Sequence, residues 1–308
     1  MAWELAANVE IDLSRVRQNV EAIARTVGVP VYAVVKADAY GLGANMVTQA
    51  IADVVHGWCV FLATEAVEYQ LWERTHKPTI CLGPPTSNDP AFYAQHHVRP
   101  AVSSVNEAEL LRDADPLLCV DTGMQRFSCP PEQIDEAIKA GGIREAFTHA
   151  PRLEQAKRLA ALAGGKGLKL HAAASSLLDE PDAWLDAVRP GLAIYRGAVR
   201  IWAPLVEAKD IKGPAGYAGF VTPRFGVIVC GYSNGLRKGP CLVNGKKRRI
   251  LEVGMQSAFV ELGPNDREGD EVLLLGDELE AEKVAQAWGC TPHEVLVRLS
   301  GAGRKEYK

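Results

Sequence analysis

The feature that most constrains the fold of this chain is a rhythm of short apolar runs between about residues 30 and 195. Segments with apolar residues at helical spacing separate these runs. Strands that alternate with helices favour a parallel sheet, and eight such strands close a (β/α)8 barrel of the TIM type. The predicted strands are residues 31–35, 58–62, 79–82, 99–103, 117–120, 146–149, 169–173 and 187–194.

The pattern of the sequence changes after about residue 200. Short predicted strands, separated by glycine and proline residues, replace the alternation of strands and helices, which indicates a compact, mainly β domain. We therefore predict an N-terminal β/α barrel over residues 1–200 and a C-terminal β domain over residues 201–308. The barrel helices are predicted at 65–74, 106–113, 131–140 and 152–163, and the later elements are strands 225–229, 241–243, 249–253, 258–262 and 271–275 with a helix at 280–288.

Composition excludes several classes of partner. The 34 basic and 38 acidic residues give a net charge of -4, which supplies no general field for nucleic acid or an anionic membrane surface. The seven cysteines are scattered without a CxxC pair or zinc-ligand spacing, so we expect reduced thiols and no metal site. No run of about 18 apolar residues occurs. These features predict a cytoplasmic protein that binds neither nucleic acid nor membrane.

The most informative segment reads AVVKADAYGLG and begins at Ala33. An apolar run ends there in Lys36, and a glycine-broken turn follows. In a parallel barrel the chemistry lies at the carboxyl ends of the strands. A desolvated amine at that position loses proton affinity and becomes a nucleophile toward an aldehyde. Periodicity alone favours a lysine that extends from the strand end to solvent.

The segment VKADAYG closely resembles the cofactor-lysine motif of the alanine racemases. This family consists of enzymes dependent on pyridoxal 5'-phosphate, built as a β/α barrel followed by a C-terminal β domain. The resemblance continues in order to the last few residues and so covers nearly the whole chain. Its further segments are DTGM-x-R at 121–126, TH at 148–149, a HAANS-type stretch at 171–175, RPG-x-x-x-Y at 189–195 and a GY-x-DG-type stretch at 231–235.

The resemblance implies two acid/base residues. Racemisation removes a proton from one face of Cα and delivers another to the opposite face, so two groups must flank the substrate. By resemblance these are Lys36, which also holds the cofactor as a Schiff base, and Tyr232. In the family this tyrosine reaches the cofactor of the partner subunit, which implies a head-to-tail homodimer with shared sites.

The remaining site residues are also implied by resemblance. Arg189 faces the pyridine nitrogen, and its guanidinium stays protonated, so it can donate a hydrogen bond without transferring a proton, which discourages transamination. Alone, each of these residues would read as an ordinary packed aromatic, strand-end hydroxyl or solvated charge. The implied cofactor contacts are Lys36, Tyr40, Arg126, His149, Ser175, Arg189, the amides of Gly191 and Leu192, and Tyr307, while Arg126 and the Met255 backbone bind the substrate carboxylate.

Several positions depart from the family pattern. Cys119 stands two residues before Asp121, where many relatives have a lysine that orients the arginine equivalent to Arg126. Ala174 and Asn234 replace an asparagine and an aspartate, and Gln256–Ser257 replaces Asp-Gln. The loops after His149 and Arg237 are short. A wider entrance motivates the hypothesis that amino acids larger than alanine are accepted.

The leading interpretation is an isomerase that converts L-alanine into D-alanine, and the family then implies a supply of D-alanine to cell-wall synthesis. One alternative is a broad-specificity amino-acid racemase. A decarboxylase or aldolase of the same cofactor fold is disfavoured by the pair Lys36 and Tyr232. A non-catalytic homologue that binds pyridoxal phosphate is kept open by the substitutions, although single-domain carriers of this kind lack the β domain present here.

Overall fold

The computed structural model describes residues 6–308. They group into two compact units, one formed by Val16–Ala39 and Gly43–Tyr195, the other by residues 6–15 with Tyr40–Leu42 and Arg196–Lys308. The second unit thus includes two segments that lie before residue 200 in the sequence. Strand pairing explains why residues 6–15 belong to this unit. The strand Ala7–Ile11 pairs with residues 199–202 on one side and with residues 303–307 on the other. Hydrophobic periodicity is local and carries no information on such pairing.

The first unit is a barrel of parallel strands. The strands form two four-stranded parallel sheets. The break between the two sheets falls at Pro100, which has no N–H to donate to a neighbouring strand. Isolated parallel bridges from Val31 to Val188 and from His171 to Ala187 join the last strand position to its neighbours and close the ring. The strands are Tyr32–Val34, Gly57–Val60, Thr79–Cys81, Val98–Arg99, Ala101–Val102, Leu117–Cys119, Glu145–Ala150 and Lys169–Ala173.

The eighth predicted strand, residues 187–194, is much shorter in the structure. Only Ala187 and Val188 make strand bridges, and Leu192–Tyr195 is a turn of 3-10 helix. Pro190 and Gly191 break the extended run, because proline lacks a donor and glycine permits a tight turn. The backbone amides beyond the break are therefore available to side chains instead of to a sheet.

Helices cover the outside of this barrel. The predicted helix 65–74 is two helices, since Gln70 has a left-handed φ of 51° between them. The barrel interior and the layer beneath the helices are filled by fully buried side chains such as Trp58 and Phe147. Besides the short turn Lys36–Gly41, the α-helices before residue 196 are Leu13–Val27, Ala44–Ile51, Ala63–Glu68, Leu71–Thr75, Pro90–His96, Val105–Leu110, Ile134–Gly141 and Leu153–Ala163.

The second unit is a mainly antiparallel sheet. The long strand Val199–Asp210 pairs with Arg224–Ile228 as well as with Glu271–Leu275, so six strands of the sheet form a closed ring. Burial alternates along the first half of Val199–Asp210, as expected for a strand with one face toward a core. The other members are Ala7–Ile11, Pro240–Val243, Lys246–Val253, Ala258–Glu261 and Gly303–Tyr307, with helices Ala281–Trp288 and Pro292–Leu299.

Within residues 6–308, no helix has the length and apolar character needed to cross a bilayer.

Replacing Gly41 with alanine is expected to destabilise the chain. Gly41 has a φ of +80°, and a Cβ there would lie 2.0 Å from Ser300 Oγ. Left-handed backbone costs an L-residue about 1–2 kcal/mol and overpacking adds about 1–3 kcal/mol, so the total loss is about 2–5 kcal/mol. Gly28→Ala is the control, because Gly28 has a φ of +65° but no atom within 4 Å of the added Cβ. Chemical denaturation of both variants should show the larger loss for Gly41→Ala, and equal losses would contradict the packing argument.

Candidate active site

Lys36 starts an unusual turn at the end of the first barrel strand. Strand Tyr32–Val34 is followed by Val35 and then by one turn of helix, Lys36–Gly41. The turn is left-handed, which costs L-residues about 1–2 kcal/mol each because Cβ approaches the following carbonyl oxygen. The non-glycine residues after Lys36 have φ values of 53° at Ala37, 54° at Asp38, 53° at Ala39 and 61° at Tyr40.

Two side chains from the next βα unit hold the first amides of this turn. Glu65 Oε1 accepts a hydrogen bond from the Ala37 amide at 2.7 Å, and the Tyr69 hydroxyl accepts one from the Asp38 amide at 2.8 Å. The sequence interpretation did not identify Glu65 or Tyr69. A carboxylate in the first turn of a helix after a strand was the only local signal for Glu65.

The surroundings of the Lys36 amine disfavour its protonated form. Burial lowers the pKa of Lys36, and repulsion from Arg126 and Arg189 lowers it further, while Glu65 opposes the change. The Nζ atom lies 5.9 Å from the centre of the Phe61 ring. The structure therefore brings three predicted site residues, Lys36, Arg126 and Arg189, within electrostatic reach of one another and partly desolvates the amine.

Cys59 lies on the neighbouring strand Gly57–Val60 and has the opposite behaviour. It is fully buried, and burial raises the pKa of its thiol to about 12 although Arg189 opposes the change. The thiol is consequently protonated at neutral pH. Nucleophilic character in this part of the barrel belongs to the amine of Lys36.

Arg189 is a buried guanidinium inside the barrel. Its Nη2 donates to the Thr148 carbonyl at 2.6 Å and to the Ala172 carbonyl at 3.2 Å. The guanidinium carbon also lies 4.8 Å from the centre of the Phe147 ring. Its Nε has no hydrogen-bond partner among the described residues. A buried donor that has no hydrogen-bond partner in the protein is suited to an acceptor on a bound molecule.

Ser175 and Gly191 meet at one edge of the same barrel. The Ser175 hydroxyl oxygen accepts hydrogen bonds from the Gly191 amide at 2.9 Å and from the Ala193 amide at 3.1 Å. Leu192 begins the 3-10 turn between them. Clustered backbone amides beside a hydroxyl form a concavity suited to an anion. These predicted phosphate ligands are thus neighbours.

Arg126 and His149 are exposed. Arg126 lies in the loop after Leu117–Cys119, whose turn is held by Asp121: this carboxylate accepts from the Gly123 amide at 2.8 Å and the Gln125 amide at 3.1 Å. Burial opposes ionisation of Asp121, but these amides outweigh it and lower its pKa. Asp121 is therefore an anionic support for the loop that carries Arg126.

The sequence interpretation also missed the pair His171 and Glu145, which lies within electrostatic reach of Arg189. His171 Nε2 is 3.0 Å from Glu145 Oε1, at an angle that makes the contact electrostatic instead of a directed hydrogen bond. Burial lowers the pKa of His171 to about 4, although Glu145 opposes the change. Burial would raise the pKa of Glu145, but His171 and Arg99 outweigh it and lower it to about 2. We conclude that a neutral imidazole lies beside an ionised carboxylate.

Tyr232 and Met255 lie together in the second unit. Tyr232 starts a 3-10 turn, Tyr232–Asn234, and its side chain is 58% exposed, while that of Met255 is 60% exposed. The Met255 carbonyl accepts from the Ser233 amide at 3.0 Å and from the Ser233 hydroxyl at 2.6 Å. This arrangement presents the Tyr232 phenol on the surface of the unit.

Tyr40 and Tyr307 belong to the same unit. Tyr40 is buried, and its ring lies 6.0 Å from that of His293. The Tyr307 hydroxyl donates to the Leu42 carbonyl at 2.9 Å. The two predicted phosphate tyrosines are thus connected through the short segment Tyr40–Leu42.

Sequence comparison gives these residues a common context. The sequence profile "Alanine racemase, N-terminal domain" matches residues 11–198, and "Alanine racemase, C-terminal domain" matches residues 216–307. The chain belongs to the alanine racemase family. An alanine racemase of Mannheimia succiniciproducens is 27% identical over 353 aligned positions, which cover 98% of this chain and 99% of the relative.

Solved structures of alanine racemases share the fold. The enzyme from Streptomyces coelicolor is 25% identical with a TM-score of 0.86 and covers 98% of each chain. The Bartonella henselae enzyme, solved with covalently bound pyridoxal phosphate, is 24% identical with a TM-score of 0.88 and covers 98% of this chain and 99% of its own. These likenesses confirm the predicted barrel followed by a β domain, and the two sequence profiles confirm the predicted family.

The pair His171 and Glu145 predicts how stability depends on pH. Both groups have folded pKa values below their ordinary ones, so the unfolded chain binds more protons and stability falls as pH falls. For His171 the loss runs from pH 6.5 to about 4 and amounts to about 3 kcal/mol. Denaturant titrations of His171→Gln should show a weaker pH dependence over this range than wild type. His76→Gln, at an exposed histidine, controls for the substitution, and an unchanged slope in His171→Gln would refute the assignment.

Proposed function

We propose that this chain is a pyridoxal-phosphate-dependent alanine racemase that interconverts L- and D-alanine, with Lys36 as the cofactor-binding lysine. Membership of the family supports the activity. The observation that carries the residue assignment is the amine of Lys36, which sits at the carboxyl end of a barrel strand with its pKa lowered by burial and two arginines. The class of barrel favours chemistry at that end.

The residues present fit the cofactor. The unpartnered Nε of Arg189 suits the ring nitrogen, since it is a buried donor without an acceptor among the described residues. The hydroxyl of Ser175 and the amides of Gly191 and Leu192 suit the phosphate. We assign Tyr40 and Tyr307 to the phosphate as well, and His149 to the ring.

When bound, pyridoxal phosphate supplies an electron-withdrawing ring that makes the Cα hydrogen of an attached amino acid acidic. The Nζ of Lys36 moves a proton on one face of Cα. The phenolic oxygen of Tyr232 of the partner subunit moves a proton on the other face. Inversion requires both, because a single base returns the proton to the face from which it came.

Arg126 and the Met255 backbone position the substrate. A guanidinium forms a forked pair with a carboxylate, so Arg126 suits the carboxylate of alanine. Asp121 shapes the loop of Arg126 through two amides, which supplies part of the support that Cys119 does not give. Met255 lies beside Tyr232 through Ser233 and so accompanies it to the same site.

We infer that the working form is a head-to-tail homodimer in the cytoplasm. The exposed phenol of Tyr232 supports the dimer, because an acid/base residue needs a site to enter. All seven cysteines lie in the described residues and carry no disulfide, which suits a reducing compartment.

Lys36→Ala is expected to bind pyridoxal phosphate without covalent attachment. The absorbance of lysine-bound cofactor should be absent, and racemisation should fall by at least about 100-fold because one acid/base is lost. Polarimetry with alanine, serine, arginine and lysine would rank the substrates of the wild type. A wild-type chain that takes up no pyridoxal phosphate, or a Lys36→Ala spectrum identical to wild type, would refute the proposal.

Tyr232→Phe is expected to separate the two faces of the reaction. Exchange of the Cα hydrogen with solvent deuterium should persist for one enantiomer of alanine, through Lys36, and fall by about 100-fold for the other. Mass spectrometry of each enantiomer measures this exchange. Tyr217→Phe, at another exposed tyrosine of the same unit, is the control. Equal exchange of both enantiomers by Tyr232→Phe would exclude the two-base assignment, and attachment of cofactor without any exchange in wild type would favour a non-catalytic binder.

A further inference from the structure

We propose that Glu65, together with Tyr69, is a positioning residue that holds Lys36 in its reactive place by fixing the first amides of the left-handed turn. The proposal rests on the assignment of Lys36 as the cofactor lysine. Glu65 itself touches neither cofactor nor substrate in this account. It acts through the backbone on which the amine stands.

The first argument is the accounting of backbone donors. The amides at the start of a helical turn have no partner within the turn. In the turn Lys36–Gly41 the Ala39 amide bonds to the Val35 carbonyl at 2.9 Å. The two amides before it, those of Ala37 and Asp38, bond to Glu65 and Tyr69. Without these acceptors the first two amides of a turn that already costs L-residues free energy would have no partner.

The second argument is the spacing of the two acceptors. Glu65 lies in helix Ala63–Glu68, and Tyr69 caps the end of that helix with right-handed backbone. Residues four apart lie on the same helix face. That face therefore reaches two successive amides of the turn, so the helix places both acceptors as one rigid element.

The third argument is the anchoring of Glu65 at its other oxygen. Oε2 accepts hydrogen bonds from the Phe61 amide at 2.7 Å and the Leu62 amide at 3.1 Å. One carboxylate thus joins the end of the first barrel strand to the end of the second. Both oxygens of the Glu65 carboxylate accept hydrogen bonds from backbone amides. The carboxylate therefore does not need the Lys36 ammonium as its partner.

Glutamine cannot replace Glu65 in this arrangement. Its carbonyl oxygen could serve the Ala37 amide or the pair Phe61 and Leu62, and its NH₂ would then face the remaining donors. A donor set against a donor costs free energy and loosens the turn. Glu65→Gln therefore removes the acceptor function while it keeps the size of the side chain. Tyr69→Phe removes the second acceptor alone.

The test measures covalent attachment in the full-length chain freed of cofactor. Pyridoxal phosphate is added, borohydride reduces the link at timed intervals, and peptide mass spectrometry gives the fraction of Lys36 modified. Pyridoxamine phosphate, which carries an amine in place of the aldehyde, measures occupancy of the same site without attachment. The variants are Glu65→Gln and Tyr69→Phe. Glu68→Gln is the matched control, since Glu68 is an exposed carboxylate on the same helix.

We expect Glu65→Gln to slow attachment about tenfold or more and Tyr69→Phe to slow it about threefold, as the loss of charged and neutral hydrogen bonds implies. The dissociation constant of pyridoxamine phosphate should change less than about threefold, and Glu68→Gln should match wild type. If Glu65→Gln does not fold in a thermal scan, Tyr69→Phe carries the test. Attachment at the wild-type rate in the folded variants, or equal loss of both ligands, would overturn the proposal. Failure of wild type to attach at Lys36 would instead overturn the proposed function.

The pH dependence of attachment separates positioning from simple charge. The neutral amine reacts, so the rate rises with pH toward the pKa of Lys36. The charged or titratable groups that act on this amine are Arg126, Glu65, Cys59 and Arg189. Burial is the largest cause of its lowered pKa, so release of the turn to water should move the midpoint upward in Tyr69→Phe, which removes an acceptor without removing a charge. A midpoint of Tyr69→Phe at or below the wild-type value would overturn the proposal.

Discussion

The location of the Lys36 amine depends on the handedness of one turn of backbone. A right-handed turn after Lys36 would send the chain in another direction, away from the acceptors that hold its first amides. The observed turn is left-handed through four successive non-glycine residues, a conformation that L-residues hold only when surrounding bonds enforce it. Two of those bonds come from a neighbouring βα unit, so the barrel preorganises the site together with the segment that carries the lysine.

The sequence predicted the parts of this protein that depend on local pattern or on a recognisable motif. The alternation of strands and helices gave the barrel, and the segment around Lys36 gave the family. Glu65 and His171 escaped the prediction of function because their roles arise from contacts between elements that are distant in sequence. The pairing of Ala7–Ile11 with Gly303–Tyr307 escaped for the same reason. The end of the last barrel strand was overestimated because Pro190 and Gly191 break an otherwise apolar run.

One departure from the family pattern has a structural explanation. Asn234 stands where the family has aspartate, and its two side-chain atoms do different work: Oδ1 accepts from the Gly231 amide at 3.1 Å, and Nδ2 donates to the Ala302 carbonyl at 3.2 Å. An aspartate could make the first bond only. The amide therefore joins the turn of Tyr232 to the segment before the C-terminal strand. Nothing in the structure explains Gln256.

The burial of Cys59 beside Lys36 reverses the usual ranking of the two groups. In water a thiol loses its proton more readily than a lysine ammonium. Here the pKa of the Cys59 thiol is raised to about 12 and the pKa of the Lys36 ammonium is lowered, so the ammonium loses its proton first. Sulfur addition to an aldehyde, and oxidation of the thiolate by peroxide, both require a form that this cysteine does not populate. The barrel interior thereby tolerates sulfur next to an electrophile without competition from it.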